Sequence, residues 1–508
     1  MSDSDPITKY SPVSQYPARL HATKVFRELA KATQQDTLAI YLSGADLKYL
    51  NDSDRELPHR QENNFFYLTG CDIVGSRLLA WCKKNENPKE AEDDLTITST
   101  LFIPDIDDDD VMWSGMPPTP EEVRRSLDVT DVQTVKSLKE KLEALPPQTI
   151  HLLPSYSLPS DTSTSINTSD KYLQMACQRA RLIKTAAEID LIQLANDISS
   201  RAHEGVMRSL GAGDMHSEYE ASAVFSYYCA RNKAKSMAYE TIAASGTSAG
   251  TLHYIKNKDS FPSTGEGSLL LLDAGCEFNN YAADITRTFP IGRGGKFTPE
   301  AKEVYHLVAK MQDTAFLQIR PGCSWERLQR LMHWTLAAGL LKLGVLKKPE
   351  ENHKQKDYGA EALQDDAREG RMRNALIEQI IGSGVTTAFF PHGLGHSLGL
   401  DVHDCPLASR PEGPSSDPLL RYLRFTGSLE EGNCITVEPG CYFNPFLLKP
   451  FKDSPYIDQE MLKKYMPVGG VRLEDDILVT SSGFHNFTTV KRRIEDIEAL
   501  CQTHAAAR

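Results

Sequence analysis

Short apolar runs and helix-periodic stretches alternate through the first third of this 508-residue chain. LAIYLSG, NNFFYLTG, SRLLAWC and LTITSTLFIP are apolar runs, whereas EEVRRSLDV and VQTVKSLKEKLEAL carry their apolar residues at helical spacing. This alternation predicts an α/β domain with a mostly parallel sheet over residues 15–165. Residues 152–170, LLPSYSLPSDTSTSINTSD, have the composition of a linker, which places the domain boundary there. Beyond it Thr185 and Glu188 have the spacing of a capping box, and Ile189, Ile192, Leu194, Ala195, Ile198 and Ala202 recur at helical period. A helix is therefore expected to open a second domain over residues 180–495.

In that domain the pattern turns to strands. GSLLLLDAG, CEFNN and YAADITRTFP predict a hairpin. Asp273 ends an apolar run that must be buried, and a carboxylate there is costly to desolvate unless it is paired or bound to a metal. Asp284 follows eleven residues later. A two-residue turn at Phe278 and Asn279 would set the two carboxylates opposite each other, about 5 Å apart on one face. A turn at Asn279 and Asn280 would leave them diagonal on the same face. Two such charges are stable together only with a proton or a cation between them.

The device recurs nearer the C-terminus. Glu438 ends the apolar run CITV, and Arg472, Glu474 and Asp476 alternate along GGVRLEDDILVT, which predicts one strand with all three on one face. Helices are expected over 298–320 and 325–343, a charged and partly helical surface insertion over 347–374, and strand-and-loop structure over 385–482.

Composition narrows the function classes. With 40% hydrophobic and 25% charged residues the chain reads as a globular protein. Its net charge of -13, with the basic residues spread out, argues against a nucleic-acid or anionic-membrane partner. No run approaches the ~20 apolar residues of a membrane span. MSDSDPITKY lacks the basic and apolar regions of a signal peptide, and ten cysteines without a CxxC pair read as reduced thiols, so the expected location is cytoplasmic. The run DIDDDD at 105–110 reads as a solvated loop.

Two Asp, two Glu and a histidine at strand ends form an oxygen-rich donor set. Such a set suits manganese or a similar divalent ion, with enough carboxylates for two ions sharing bridging ligands. The histidines are concentrated in PHGLGHSLGLDVH at 391–403. His392 and His396 are four apart, but Gly393 and Gly395 disfavour a helix and instead permit close backbone packing.

DAG, YAADITRTFP, PHGLGHSLGLDVHD, TVEPG and VRLEDD, in that order, resemble the pita-bread metallopeptidases, and within them the proline-specific aminopeptidase P and prolidase branch. The resemblance spans about 180–490, and HRQENNFFYLTG is similar to the entry motif of their creatinase-like N-terminal domain. It implies an α/β N-terminal domain followed by an α+β pita-bread catalytic domain. The activity it implies is that of a dinuclear metallopeptidase that releases the residue preceding proline from small peptides, working as a homodimer.

By the same resemblance the metal ligands are Asp273, Asp284, His396, Glu438 and Glu474, with Asp284 and Glu474 able to bridge two ions. Glu438 would also move the proton, His392 and His403 would assist catalysis, and Arg472 would balance charge. His253 would contact substrate, Tyr239 and Ile242 would line the proline pocket, and Arg424 in LRYLR stands where prolidases capture a dipeptide's C-terminal carboxylate. A strict Xaa-Pro dipeptidase and a non-catalytic binding protein on the same fold are the alternatives. Five intact ligands count against the second.

Overall fold

The computed structural model describes residues 15–85, 95–146, 148–163, 165–261, 268–292, 294–349 and 366–502. It divides into two compact units between Asp190 and Leu191. Among the described residues no helix is long and apolar enough to cross a membrane. All ten cysteines are free thiols, and nine of them are buried.

The first unit holds a six-stranded sheet. Its strands are β1 (Thr37–Ser43), β2 (Arg77–Lys84), β3 (Leu95–Ile103), β4 (Asp131–Thr134), β5 (Ile150–His151) and β6 (Thr168–Ser169), in the order β4-β3-β2-β1-β5-β6. The sheet is mixed and not mostly parallel. Its two longest pairings, β1–β2 and β2–β3, are antiparallel, and the shorter β4, β5 and β6 join in parallel. The ten residues between Lys84 and Leu95 are too few for a parallel crossover, which needs about a dozen or more.

Two local expectations shift as well. NNFFYLTG forms the helix Asn63–Thr69, started by Glu62, whose carboxylate accepts from the Phe65 amide at 2.6 Å. VQT at the head of the second helix-periodic stretch is β4, and the helix begins at Leu138. The Ser/Thr-rich segment supplies β6 at the sheet edge, and the helix Leu173–Leu182 packs on Ala18–Thr33 in the same unit. Asp107 of the acidic run caps the short helix Asp108–Ser114.

The division falls inside the helix Ala186–Ala212. At its start Glu188 accepts from both the Thr185 amide (2.8 Å) and hydroxyl (2.9 Å). The expected helices form as Pro299–Phe316 and Trp325–Lys342. Of the charged insertion, residues 350–365 lie outside the described residues, and its end belongs to the helix Asp366–Gly382.

Among its described residues the second unit has four small antiparallel sheets. One orders β12 (Thr286–Pro290), β9 (Leu269–Asp273) and β8 (Ile242–Ser245); another orders β11 (Tyr281–Ala282), β10 (Cys276–Phe278) and β7 (Ser236–Met237). A third orders β13 (Cys434–Val437), β16 (Asp475–Val479) and β17 (Phe484–Asn486), and the last pairs β14 (Gly440–Tyr442) with β15 (Gly470–Arg472). All five residues of β9 and all four of β13 are buried, so each delivers a carboxylate from a dry strand into the interior.

The hairpin takes the second of the two registers. Phe278 pairs with Tyr281, and Asn279 (φ 47°) and Asn280 (φ 64°) form the turn. Asparagine tolerates this left-handed backbone, as a two-residue hairpin turn requires, whereas phenylalanine does not. Asp273 therefore faces Thr286, and Asp284 lies diagonally from it. The expected single strand over GGVRLEDDILVT is also two. β15 ends at Arg472 and β16 starts at Asp475, in different sheets, with Glu474 bridged to Thr286 between them.

Candidate metal centre

Register alone leaves Asp273 and Asp284 diagonal, but their side chains converge. The Tyr239 hydroxyl lies 2.6 Å from Asp273 Oδ1 and 2.6 Å from Asp284 Oδ1. A phenol has one proton and cannot donate to two ionised carboxylates at once, so the cluster lacks positive charge. Gly275 makes the close approach possible. A Cβ there would sit 1.8 Å from the Ala283 carbonyl oxygen.

The loop of Leu394 to Leu398 runs beside β13 as an irregular edge. Thr436 N donates to His396 O (2.9 Å), Glu438 N to Leu394 O (2.8 Å), and Leu398 N to Cys434 O (3.0 Å). No helix forms over His392 and His396, as the glycines require. A Cβ on Gly395 would lie 1.9 Å from Thr436 O. This packing puts His396 Nε2 3.3 Å from Asp284 Oδ2 and 3.5 Å from Glu438 Oε1. Donor atoms of Asp284, His396 and Glu474 all lie within 4.8 Å of one another.

Partners outside the cluster fix these groups. Thr286 Oγ1 donates to Glu474 Oε2 (2.6 Å), and Arg472 donates through Nε to Thr286 Oγ1 (3.0 Å) and through Nη2 to Asp273 Oδ2 (2.5 Å). Arg472 thus balances Asp273 directly. Asp476 is fully buried and accepts from the Asp284 amide at 2.8 Å, so it orients a donor-bearing residue without reaching the cavity.

The electrostatics call for cations. Burial raises the Asp273 carboxyl to about 6, against the Arg472 charge and with Asp284 adding to it. Burial likewise raises Glu438 to about 7. Glu474 stands well above the ordinary carboxylate range through burial and then the charges of Asp284, Glu438 and Asp273. Burial opposes ionisation of Asp284, but its bond to His396 and that ring's charge outweigh it and hold the group low. His396 is raised by Asp284 and Glu438 in spite of burial. Protons here occupy places that divalent cations would take, because ligands bind metal in their deprotonated forms. The donor set fits such ions.

A cavity of about 700 Å³ opens onto the cluster, lined by Asp273, Asp284, His396, Glu438, Glu474 and Arg472 together with His253, His392, His403 and Arg424. His392 bonds through Nε2 to the Tyr442 hydroxyl (2.8 Å), with Nδ1 2.8 Å from Gly393 O. Burial, then the Arg472 charge, lowers His392 to about 3, and burial, then the His396 charge, lowers His403 to about 3. His253 is lowered by burial and by Arg472 and Arg424. These three rings are neutral near pH 7 and act there as hydrogen-bond groups.

Tyr239 and Ile242 are not among the cavity-lining residues. Tyr239 sits behind the carboxylates, and Ile242 is buried in β8, opposite Asp273 and packed with Leu271 and Tyr442. Tyr442 and Thr286, absent from the expected set, hold His392, Arg472 and Glu474 in place. Thr286 has a signal in the sequence, since it alternates with Asp284 along DITRT, and Tyr442 lies four residues beyond Glu438. Arg410 and Arg421 also line the cavity.

Comparison with known proteins gives this arrangement a family. Residues 190–481 match the model of metallopeptidase family M24, which covers more than half of the chain. The chain belongs to that family. Residues 21–151 match the aminopeptidase P N-terminal domain, so this M24 member carries that domain ahead of its pita-bread unit. The chain is 39% identical over 496 residues to a probable Xaa-Pro aminopeptidase of Pyrenophora tritici-repentis, covering 96% of both chains. It is 37% identical over 505 residues to one of Paracoccidioides brasiliensis, covering 96% of this chain and 98% of the other. Among solved structures it is similar to Escherichia coli aminopeptidase P with the inhibitor Pro-Leu, at 25% identity, TM-score 0.72, and 96% and 99% coverage of the two chains. It is also similar to proline aminopeptidase P II of Yersinia pestis, at 27% identity, TM-score 0.71, and 95% and 99% coverage.

Proposed function

We propose that this M24 protein is an Xaa-Pro aminopeptidase, a metal-dependent hydrolase that removes the N-terminal residue preceding proline. The observation that carries the reading is the convergence of Asp273, Asp284, His396, Glu438 and Glu474 on one cavity whose other walls bear neutral histidines. The near-full-length likeness to probable Xaa-Pro aminopeptidases supports it.

Those five residues would hold two divalent ions, with Mn2+ favoured by a set of four carboxylates and one imidazole. Ions so held lower the pKa of water and polarise the scissile carbonyl. Glu438, on the cavity wall 3.5 Å from His396 Nε2, would accept a proton and return it to the leaving nitrogen. His403, on the cavity wall, would donate to the carbonyl oxygen as charge develops, while His392, held through Nδ1 by Gly393 O and through Nε2 by the Tyr442 hydroxyl, would shape the same wall beside the substrate. Arg472 keeps Asp273 ionised and oriented. Tyr239 would secure the two aspartates, and Ile242 would support β9 from behind.

The substrate logic follows from the bond. An Xaa-Pro nitrogen carries no N–H, so a site that grips the carbonyl side and the histidine edge accepts what a backbone-donor site cannot. A cytoplasmic location suits ten free thiols. A homodimer is the assembly we expect.

Strict dipeptide cleavage is a second reading because Arg424 lines the cavity and is exposed there, with no carboxylate partner among the described residues. A guanidinium so placed can take a free C-terminal carboxylate. Comparing Arg424→Ala with the unaltered enzyme on Xaa-Pro and on Xaa-Pro-Yaa-Zaa peptides separates the readings. We expect kcat/KM on the dipeptide to fall about 10-fold or more, as for loss of a charge-assisted bond, and the longer peptide to be cleaved nearly as before. An equal change for both would remove Arg424 from carboxylate recognition.

A further inference from the structure

His253 faces the cavity from a segment that has no helix or strand between the short turn Gly246–Gly250 and Ser260. Its ring makes no hydrogen bond among the described residues, so its place depends on how its backbone is held. That support comes from a carboxylate outside the metal centre. Glu218, the first residue of the helix Glu218–Arg231, is fully buried and accepts four hydrogen bonds. Its Oε1 accepts from Ser245 N (2.8 Å) and Ser245 Oγ (2.7 Å), and its Oε2 from the Tyr254 hydroxyl (2.9 Å) and Asp259 N (2.9 Å).

These donors lie at the two ends of the segment from 245 to 259 and at the neighbour of His253 itself. The helix N-terminus favours a negative charge at this position. The Tyr254 hydroxyl remains a donor, its pKa raised to about 12 by burial and then by Glu218. Asn257 adds a second tie, donating to Thr241 O (2.7 Å) and accepting from Ala243 N (2.9 Å), and so fastens the segment to β8. Glu218 does not line the cavity.

We propose that Glu218 is a positioning residue whose carboxylate clamps the Ser245–Asp259 segment and thereby sets His253 against the substrate. This rests on the reading of His253 as a substrate-contacting group. Removing one of the two acceptor oxygens leaves buried donors without a partner and lets the segment shift. Displacements of about 1 Å in a positioning element cost on the order of 10²-fold in rate.

The test is a double-mutant cycle on the intact metal-loaded enzyme, with kcat and KM for an Xaa-Pro peptide and metal content measured for each protein. Glu218→Gln is expected to lower kcat/KM about 10- to 100-fold with metal content unchanged. In the His253→Ala background the same substitution is expected to add nothing further. Additive losses, or loss of metal in Glu218→Gln, would show that Glu218 acts elsewhere and would overturn the proposal. His253→Ala at the unaltered rate would remove His253 from the site, and the proposal with it, while leaving the metallopeptidase reading standing. Should Glu218→Gln fail to fold, Glu218→Asp, which keeps the charge and shortens the reach, is read in the same cycle.

Discussion

Glu474→Gln is expected to lower kcat by about 10³-fold or more, since several kcal/mol of charge stabilisation are at stake and each ~1.4 kcal/mol is a decade. Glutamine keeps the shape of the side chain but replaces one anionic oxygen with an amide NH2, a donor that cannot ligate a cation. The fold is expected to survive. In the metal-free protein burial and three neighbouring carboxylates disfavour a charge on Glu474, so a neutral amide of the same shape is tolerated there. The bond from Thr286 Oγ1 can still be made to the remaining oxygen. Thermal unfolding of the metal-free variant should therefore match that of the metal-free parent, whereas the rise in Tm on adding Mn2+ should shrink, because stabilisation by a ligand follows its affinity for the folded state. A variant with parental kcat would remove Glu474 from the centre.

Gly395→Ala is expected to have the largest effect on stability. The added Cβ would meet the Thr436 carbonyl oxygen at 1.9 Å, and Thr436 N is itself bonded to His396 O at 2.9 Å, so neither β13 nor the loop can retreat without breaking the pairing that presents His396. Overpacking against side chains costs about 1–3 kcal/mol, and backbone yields less readily than a side chain. We expect a loss of about 3 kcal/mol or more in denaturant unfolding, with metal content reduced in whatever folds. Gly413→Ala, where no atom lies within 4 Å but φ is positive, is the comparison for glycine loss without a collision. An equal effect at both positions would mean that the close approach beside His396 adds nothing to the cost of replacing a glycine.

The parts of this site legible from the chain alone are those where a local rule conflicts with burial. A carboxylate at the end of LLLLD or CITV stands out because such strands are dry, and both are fully buried. What was not legible depends on distant partners. Asp273 and Asp284 meet through Tyr239, 34 and 45 residues away, and not through strand register, which follows the conformation of Asn279 and Asn280. Arg472 alternates with Glu474 along the chain yet bonds to Asp273, because the strand breaks between β15 and β16. The N-terminal sheet mixes directions for a similar reason. Apolar runs mark strands, but connection length decides whether neighbours run parallel, and the β2–β3 connection is short.

The most direct test of the central claim is product analysis on matched Xaa-Pro-Yaa and Xaa-Ala-Yaa peptides with metal-stripped enzyme and with the same enzyme reloaded with Mn2+. The account predicts release of the N-terminal residue from the proline peptide, restored by the ion and absent without it, with little cleavage of the alanine peptide. Undiminished hydrolysis after exhaustive metal removal, or equal cleavage of both peptides, would contradict it.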